Sequence, residues 1–165
     1  MIYSYRISLP HILLLLATIL ISASFTTAQA QKSRGPGGAA GGDENEPLFH
    51  QYRNVRIGMS TDEVSKTLNN VSDKSDEQDF FVFSENENAQ VFYDKSKKVF
   101  AISVNFLNGA QDIPTPKAVF GSEVTAKPDG SMYKLVRYPK AGCWVSFSKT
   151  AGDSPLVTVT LQKIE

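Results

Sequence analysis

The chain is poor in the side chains from which most metal and nucleophilic sites are built: its 165 residues include one cysteine and two histidines. A lone cysteine excludes an internal disulfide framework and a thiolate metal cluster. An excess of either charge is lacking too, since 17 Lys and Arg balance 17 Asp and Glu. A formal net charge of zero offers no electrostatic footprint for nucleic acid. Long hydrophobic runs are absent beyond residues 12–21, and a ten-residue stretch that already includes Thr18 is too short to cross a hydrocarbon core of roughly 30 Å. What is present excludes wholesale disorder: 41% of the residues are hydrophobic and 10% aromatic, enough for a real core.

The apolar run sits in an export pattern. Arg6 supplies a charged n-region, residues 12–21 the h-region, and Ala28-Gln29-Ala30 a small-x-small cleavage site. Residues 1–30 therefore read as a signal peptide, with the mature chain starting at Gln31. Ser22, Ser24, Thr26, Thr27 and Gln29 interrupt any longer span, and no cysteine lies near the cleavage site to carry a lipid. The expected location is periplasmic or secreted, with no stable membrane insertion after cleavage.

Residues 31–47 hold Gly35, Gly37, Gly38, Gly41 and Gly42 with two prolines, so they cannot offset the entropy of ordering and read as a flexible linker. A single domain over 48–165 follows. Its first helix start is written in full: Ser60 as N-cap, Glu63 closing a capping box, and Met59 facing Val64 as a staple. Val64, Leu68 and Val71 fall on one helical face, and Asn69 and Asn70 stop the helix. Strands are predicted over 79–84, 90–94 and 99–106, with turns at 86–88 and 95–98. The order then recurs: Thr115 caps, Pro116 takes the first helical position, Gly121 ends a short helix, and strands follow over 132–138, 143–148 and 156–163.

Val91, Tyr93, Asp94 and Lys95 set against Val145, Phe147, Ser148 and Lys149 match in type, and Ile102 and Val104 then meet Val159 and Leu161. The fold class is accordingly α+β. Two degenerate α-β-β-β repeats, 52–107 and 114–165, form one antiparallel sheet of about six strands with helices on one face. Alternation assigns Phe100, Ile102, Val104 and Phe106, Cys143, Val145 and Phe147, and Val157, Val159 and Leu161 to the core. The opposite face carries Ala101, Ser103 and Asn105, then Trp144, Ser146 and Ser148, then Thr158, Thr160 and Gln162. It is polar and small except for Trp144.

Arg56-Ile57-Gly58-Met59-Ser60-Thr61-Asp62-Glu63-Val64, with Leu68 beyond, resembles the opening of small bacterial envelope domains related to BamE (the SmpA/OmlA lipoproteins) and to β-lactamase inhibitor protein (BLIP). Lys117-Ala118-Val119-Phe120-Gly121 followed by Asp129-Gly130-Ser131 looks like a worn second copy. The resemblance implies a tandem domain whose sheet grips another protein, or an envelope-assembly component. The first helix ends Leu68-Asn69 where those domains have Leu-Gly, and a single Cys143 allows neither the disulfide hairpins of the inhibitors nor an acyl anchor.

Catalytic chemistry is thinly represented. The mature chain has one histidine, His50, at the linker edge, without a nucleophile beside it. Asp73, Asp76, Glu77 and Asp79 are expected in a solvated acidic loop that lacks the Asp-x-Asp-x-Asp-Gly order of a calcium loop. Cys143 reads as a small buried hydrophobe. Asn70-Val71-Ser72 is a glycosylation sequon, silent in a bacterial source. Residues 62–94 hold nine acids against two bases, a net of −7, and residues 95–149 nine bases against three acids, a net of +6. That asymmetry is either solvated turns or a field that orients a partner.

Phe80, Phe81, Val82 and Phe83 supply large side chains to both faces, while Phe92 and Trp144 point away from the core. Such aromatics form a docking or apolar-ligand surface unless the linker or a loop covers them. The expected site is therefore protein-binding, made of Trp144, Phe92, Ser146, Thr158 and Thr160, with no catalytic residue, metal or cofactor. The expected function is an exported, non-enzymatic binding or envelope-assembly module whose partner is another envelope or secreted protein. The alternatives are a secreted enzyme inhibitor, which would plug an active site with residues 108–116 or 149–155, and an uncharacterised enzyme.

Overall fold

The computed structural model describes residues 46–69 and 71–164; the expected signal peptide, all but the last two residues of the linker, and Asn70 of the sequon lie outside the described residues. The elements run α1 (Thr61–Thr67), β1 (Val71–Lys74), β2 (Gln78–Ser84), β3 (Glu87–Tyr93), β4 (Val99–Phe106), α2 (Pro116–Phe120), β5 (Met132–Tyr138), β6 (Cys143–Lys149) and β7 (Val157–Lys163). The seven strands form one open sheet in the order β1-β2-β3-β4-β7-β6-β5, with every neighbouring pair antiparallel.

Helix α1 starts where its capping chemistry dictates. The Glu63 N–H donates to Ser60 Oγ at 3.3 Å and the Ser60 N–H donates to Glu63 Oε2 at 2.7 Å, which holds the Glu63 carboxyl below its ordinary pKa. Gly58 explains the residue type ahead of the cap. It adopts φ +86°, while its N–H donates to the Val99 carbonyl and the Met59 carbonyl accepts from the Val99 N–H, each at 2.8 Å. A Cβ there would meet no atom within 4 Å, so glycine answers a backbone requirement and not a steric one. Thr115 caps α2 through the Ala118 N–H, Pro116 opens it, and Gly121 closes it at φ +72°.

Four differences from the sequence expectation have physical causes. The helix ends at Thr67, so Val71 opens a strand instead of completing a helical face. The sheet has seven strands and not six, because the polar segment Val71–Lys74 pairs along β2. No apolar alternation marks such a strand; only its partner makes it one. The β2–β3 connection is a two-residue turn at Glu85-Asn86, so β3 begins at Glu87. Finally, Phe100 is not in the core row: Phe92 pairs with Ala101 and Tyr93 with Val99, so Phe100 is the extra residue of a bulge and joins the opposite face.

The inward rows behave as alternation requires. Ile102, Val104, Val145, Phe147, Val159 and Leu161 are buried, with Cys143 and Val157, in one cluster that also takes Val64 and Leu68 from the α1 region and Val119 and Phe120 from α2. Each fully buried aliphatic side chain there contributes about 1.5–3 kcal/mol. Tyr52 and Val55 close a tight turn against the same core, with Arg53 and Asn54 both at positive φ. Arg53 lies 4.2 Å from the Phe83 ring centroid and bridges Glu87 at 2.9 Å, and the Tyr52 hydroxyl donates to the same carboxylate.

Asp79 corrects the reading of a solvated acidic loop. It is fully buried on the inward side of β2, where its Oδ2 accepts from the Tyr93 hydroxyl at 2.7 Å and its Oδ1 has no partner among the described residues. Burial first, and then the bond to Asp79, push the Tyr93 phenol above its ordinary 10.0. The folded state thus holds this proton more tightly than the unfolded chain. Its stabilisation is complete below pH 10 and is lost as pH rises above that value. Tyr93→Phe should cost about 1–3 kcal/mol at neutral pH by stranding Asp79, and should flatten the alkaline fall in urea midpoint. A variant as stable as the parent at neutral pH would contradict this bond.

Candidate functional site

The face opposite the helices is built in cross-strand rows, because residues paired in register share a face. One row runs Arg137, Trp144, Gln162, Ala101, Phe92 and Gln78 from β5 to β2; the next runs Leu135, Ser146, Thr160, Ser103, Gln90 and Phe80; the third runs Tyr133, Ser148, Thr158, Asn105, Asn88 and Val82. Apart from buried Ala101, these side chains are half-buried or exposed. The five expected site residues, Trp144, Phe92, Ser146, Thr158 and Thr160, all stand on this face. Trp144 and Phe92 are in one row, three strand spacings or about 14 Å apart.

The centre of the face is bonded to itself. Ser103 Oγ and Thr160 Oγ1 lie 3.1 Å apart, Thr158 Oγ1 donates to Asn105 Oδ1 at 2.8 Å, and Asn105 Nδ2 donates to Asn88 Oδ1 at 3.0 Å. These bonds span β3, β4 and β7 and fix side chains that would otherwise lose rotamer freedom on contact with a partner. Both rims carry exposed apolar side chains beside the polar Arg137 and Gln78. Val82 is 49% exposed on the β2 side, and Tyr133 and Leu135 are 60% and 39% exposed on the β5 side. Phe92 and Phe100 meet at a ring separation of 6.2 Å. Beside them two open clefts of about 480 and 570 Å³ share Tyr93, Asp94, Lys95 and Phe100.

Gln78, Asn88 and Gln90 escaped the sequence reading of this face, and so did four further contributors. Phe100 was hidden by the bulge. Tyr133, Leu135 and Arg137 lie on a strand whose bounds were expected correctly, but whose apolar side chains occupy both parities, so that only its pairing with Trp144, Ser146 and Ser148 shows which way each faces. Their signal was available in that partner strand, whose alternation is clean.

Elsewhere the titratable groups are spoken for or set apart. Tyr52, Arg53 and Glu87 satisfy one another, burial and then the Glu87 bond pushing the Tyr52 phenol upward. Asp76 is held below the usual carboxylate range by the Lys97 ammonium 2.9 Å away. Burial raises the Cys143 thiol. Among the described residues no group of three or more His, Cys, Asp or Glu side chains converges on one point, and no helix there is long and apolar enough to cross a membrane. The loops after β4 and after β6 meet the β2–β3 turn at one end of the sheet, around Asn86, Asn108 and Pro155.

No protein-family model, curated protein or solved structure matches this chain.

Trp144 is the chain's one tryptophan, so its emission reports this face alone. Half-buried beside Arg137 and Gln162, it should emit at long wavelength and be quenched by iodide, which the adjacent cationic Arg137 favours. A blue-shifted, iodide-insensitive emission would place the indole in the core and reverse the face assignment.

Proposed function

We propose that this chain is an exported, non-enzymatic binding module that holds another envelope or secreted protein against its open sheet face. The observation that carries the reading is the construction of that face: a pre-bonded centre of hydroxyl and amide groups, with aromatic and aliphatic side chains at both rims. Aromatic anchors around a polar, ordered surface are the composition in which protein interfaces concentrate binding energy. A periplasmic or secreted location rests on the pattern of Arg6, residues 12–21 and Ala28-Gln29-Ala30.

Kinship with BamE-like and BLIP-like domains, and descent from two α-β-β-β copies, belong to the same proposal. The strand order supports it, since β2-β3-β4 and β5-β6-β7 meet at the β4–β7 seam as two equivalent halves. A spacing of 57 residues carries Ile102 onto Val159 and Val104 onto Leu161, and relates Ser103 to Thr160, with which it is itself paired. That is the pattern of a two-fold axis through the seam. Strand pairing then matches Val91 with Phe147, two residues from the alignment that sets it against Val145. Among the described residues β1 has no counterpart in the second half.

Trp144→Ala should weaken capture of the partner by about 2 kcal/mol, roughly thirtyfold, with little loss of fold stability. Affinity purification from envelope and culture fractions, comparing the parent with Trp144→Ala, Thr160→Arg and a loop control at Lys127→Ala, checks it. A partner released by both face variants and kept by the control supports the reading; one kept by all three defeats it.

A further inference from the structure

The two edges of the sheet are built differently. β1 is four residues long, broken by a bulge between Val71 and Asp73, and carries the exposed charges of Asp73 and Lys74. Shortness, a bulge and charge are the devices that keep an edge from templating another strand. β5 has none of the first two. All seven of its residues pair with β6 in unbroken register, it contains no proline or glycine, and it exposes Tyr133 and Leu135. Among the described residues no backbone hydrogen bond outside the β6 ladder reaches Met132–Tyr138, and the turn before the strand closes on itself through the Lys127 N–H and the Ser131 carbonyl. Of its two cations, Arg137 stands exposed toward the end of the strand, while Lys134, beside the centre, is drawn onto its own fold. Its Nζ donates to Ser122 Oγ at 2.9 Å and lies 5.0 Å from the Phe120 ring centroid.

We propose that β5 is a self-association edge, on which a second copy of this chain pairs its own β5 antiparallel across a two-fold axis at Leu135. The residue order selects both the occupant and the register. Centred on Leu135, all seven residues overlap, and Leu135 meets Leu135 of the second copy. Tyr133 then faces Arg137, Lys134 faces Val136 and Met132 faces Tyr138. No like charges stand opposite each other, and each Arg137 guanidinium comes beside a Tyr133 ring, a favourable cation–π pair. Centring on Lys134 or Arg137 would set two cations face to face and shorten the ladder. An antiparallel pair of this kind has its axis perpendicular to the sheet, so both open faces look the same way and a seven-stranded surface becomes a fourteen-stranded one. The contact is isologous and closes at two copies. It depends on the β5 edge alone and not on what the open face binds.

Sedimentation velocity of the full chain, up to about 1 mM, tests the pairing. A dimer that grows with concentration is expected, and Leu135→Glu, which sets two carboxylates opposite each other on the axis, should weaken it at least about tenfold. Cross-linking decides the register and stands if that variant fails to fold. Under mild oxidation Leu135→Cys should give a covalent dimer, and Tyr133→Cys, which faces Arg137 of the second copy, should not. A chain that stays monomeric throughout, a dimer indifferent to Leu135→Glu, or equal cross-linking at both positions would overturn the proposal. So would a monomer that instead adds an unrelated extended peptide along β5.

Discussion

Everything on this molecule's open face depends on the pairing of β4 with β7. Ala101–Phe106 runs against Val157–Gln162 in a six-residue ladder without a bulge, and among the described residues that ladder is the only strand pairing between the first four strands and the last three. Because side chains alternate, a slip of β7 by one residue against β4 would turn Val157, Val159 and Leu161 out to solvent and bury Thr158, Thr160 and Gln162. The cost of exposing three aliphatic side chains fixes the register. The register in turn brings Ser103 onto Thr160 and Asn105 onto Thr158, where their hydrogen bonds form. The polar centre of the face is thus a by-product of the packing behind it.

Away from the seam, the two halves carry different charge. The acidic excess of residues 62–94 falls on α1 and β1–β3, and the basic excess of residues 95–149 on the segment from the β3–β4 turn through β6. Some of this charge is internally neutralised: Glu87 by Arg53, Asp76 by Lys97, and Asp79 is withdrawn into the core beside Tyr93. On the face itself, Arg137 stands at the basic end beside Trp144. For the proposed binding role, the hydroxyl and amide centre supplies hydrogen-bonding groups already held in place, and the flanking rings supply the apolar area.

The sequence was most legible where one local rule suffices. Ser60, Glu63, Thr115, Pro116 and Gly121 announce their helices because capping is a matter of residues a few positions apart. The strands with clean alternation, β6 and β7 above all, disclose their faces unaided. What stayed hidden depends on partners distant in sequence. Val71–Lys74 is a strand only because β2 lies beside it. Phe100 leaves the core row only because Tyr93 pairs with Val99 and skips it. Asp79, at the end of an acidic run, is indistinguishable from its solvated neighbours until β3 brings the Tyr93 hydroxyl to it. Trp144 and Phe92 were legible members of the open face, whereas Tyr133, Leu135 and Arg137 required the pairing of β5 with β6.

Native-state hydrogen exchange at the seam tests most directly whether one continuous sheet underlies the face. If β4 and β7 hold the two halves together as described, the amides bonded across that ladder should exchange only through global unfolding, with protection equal in the two strands and falling toward β1. Exchange of β7 amides through an opening that leaves β4 protected would show two separately stable halves, and would contradict the single sheet on which the open face is built.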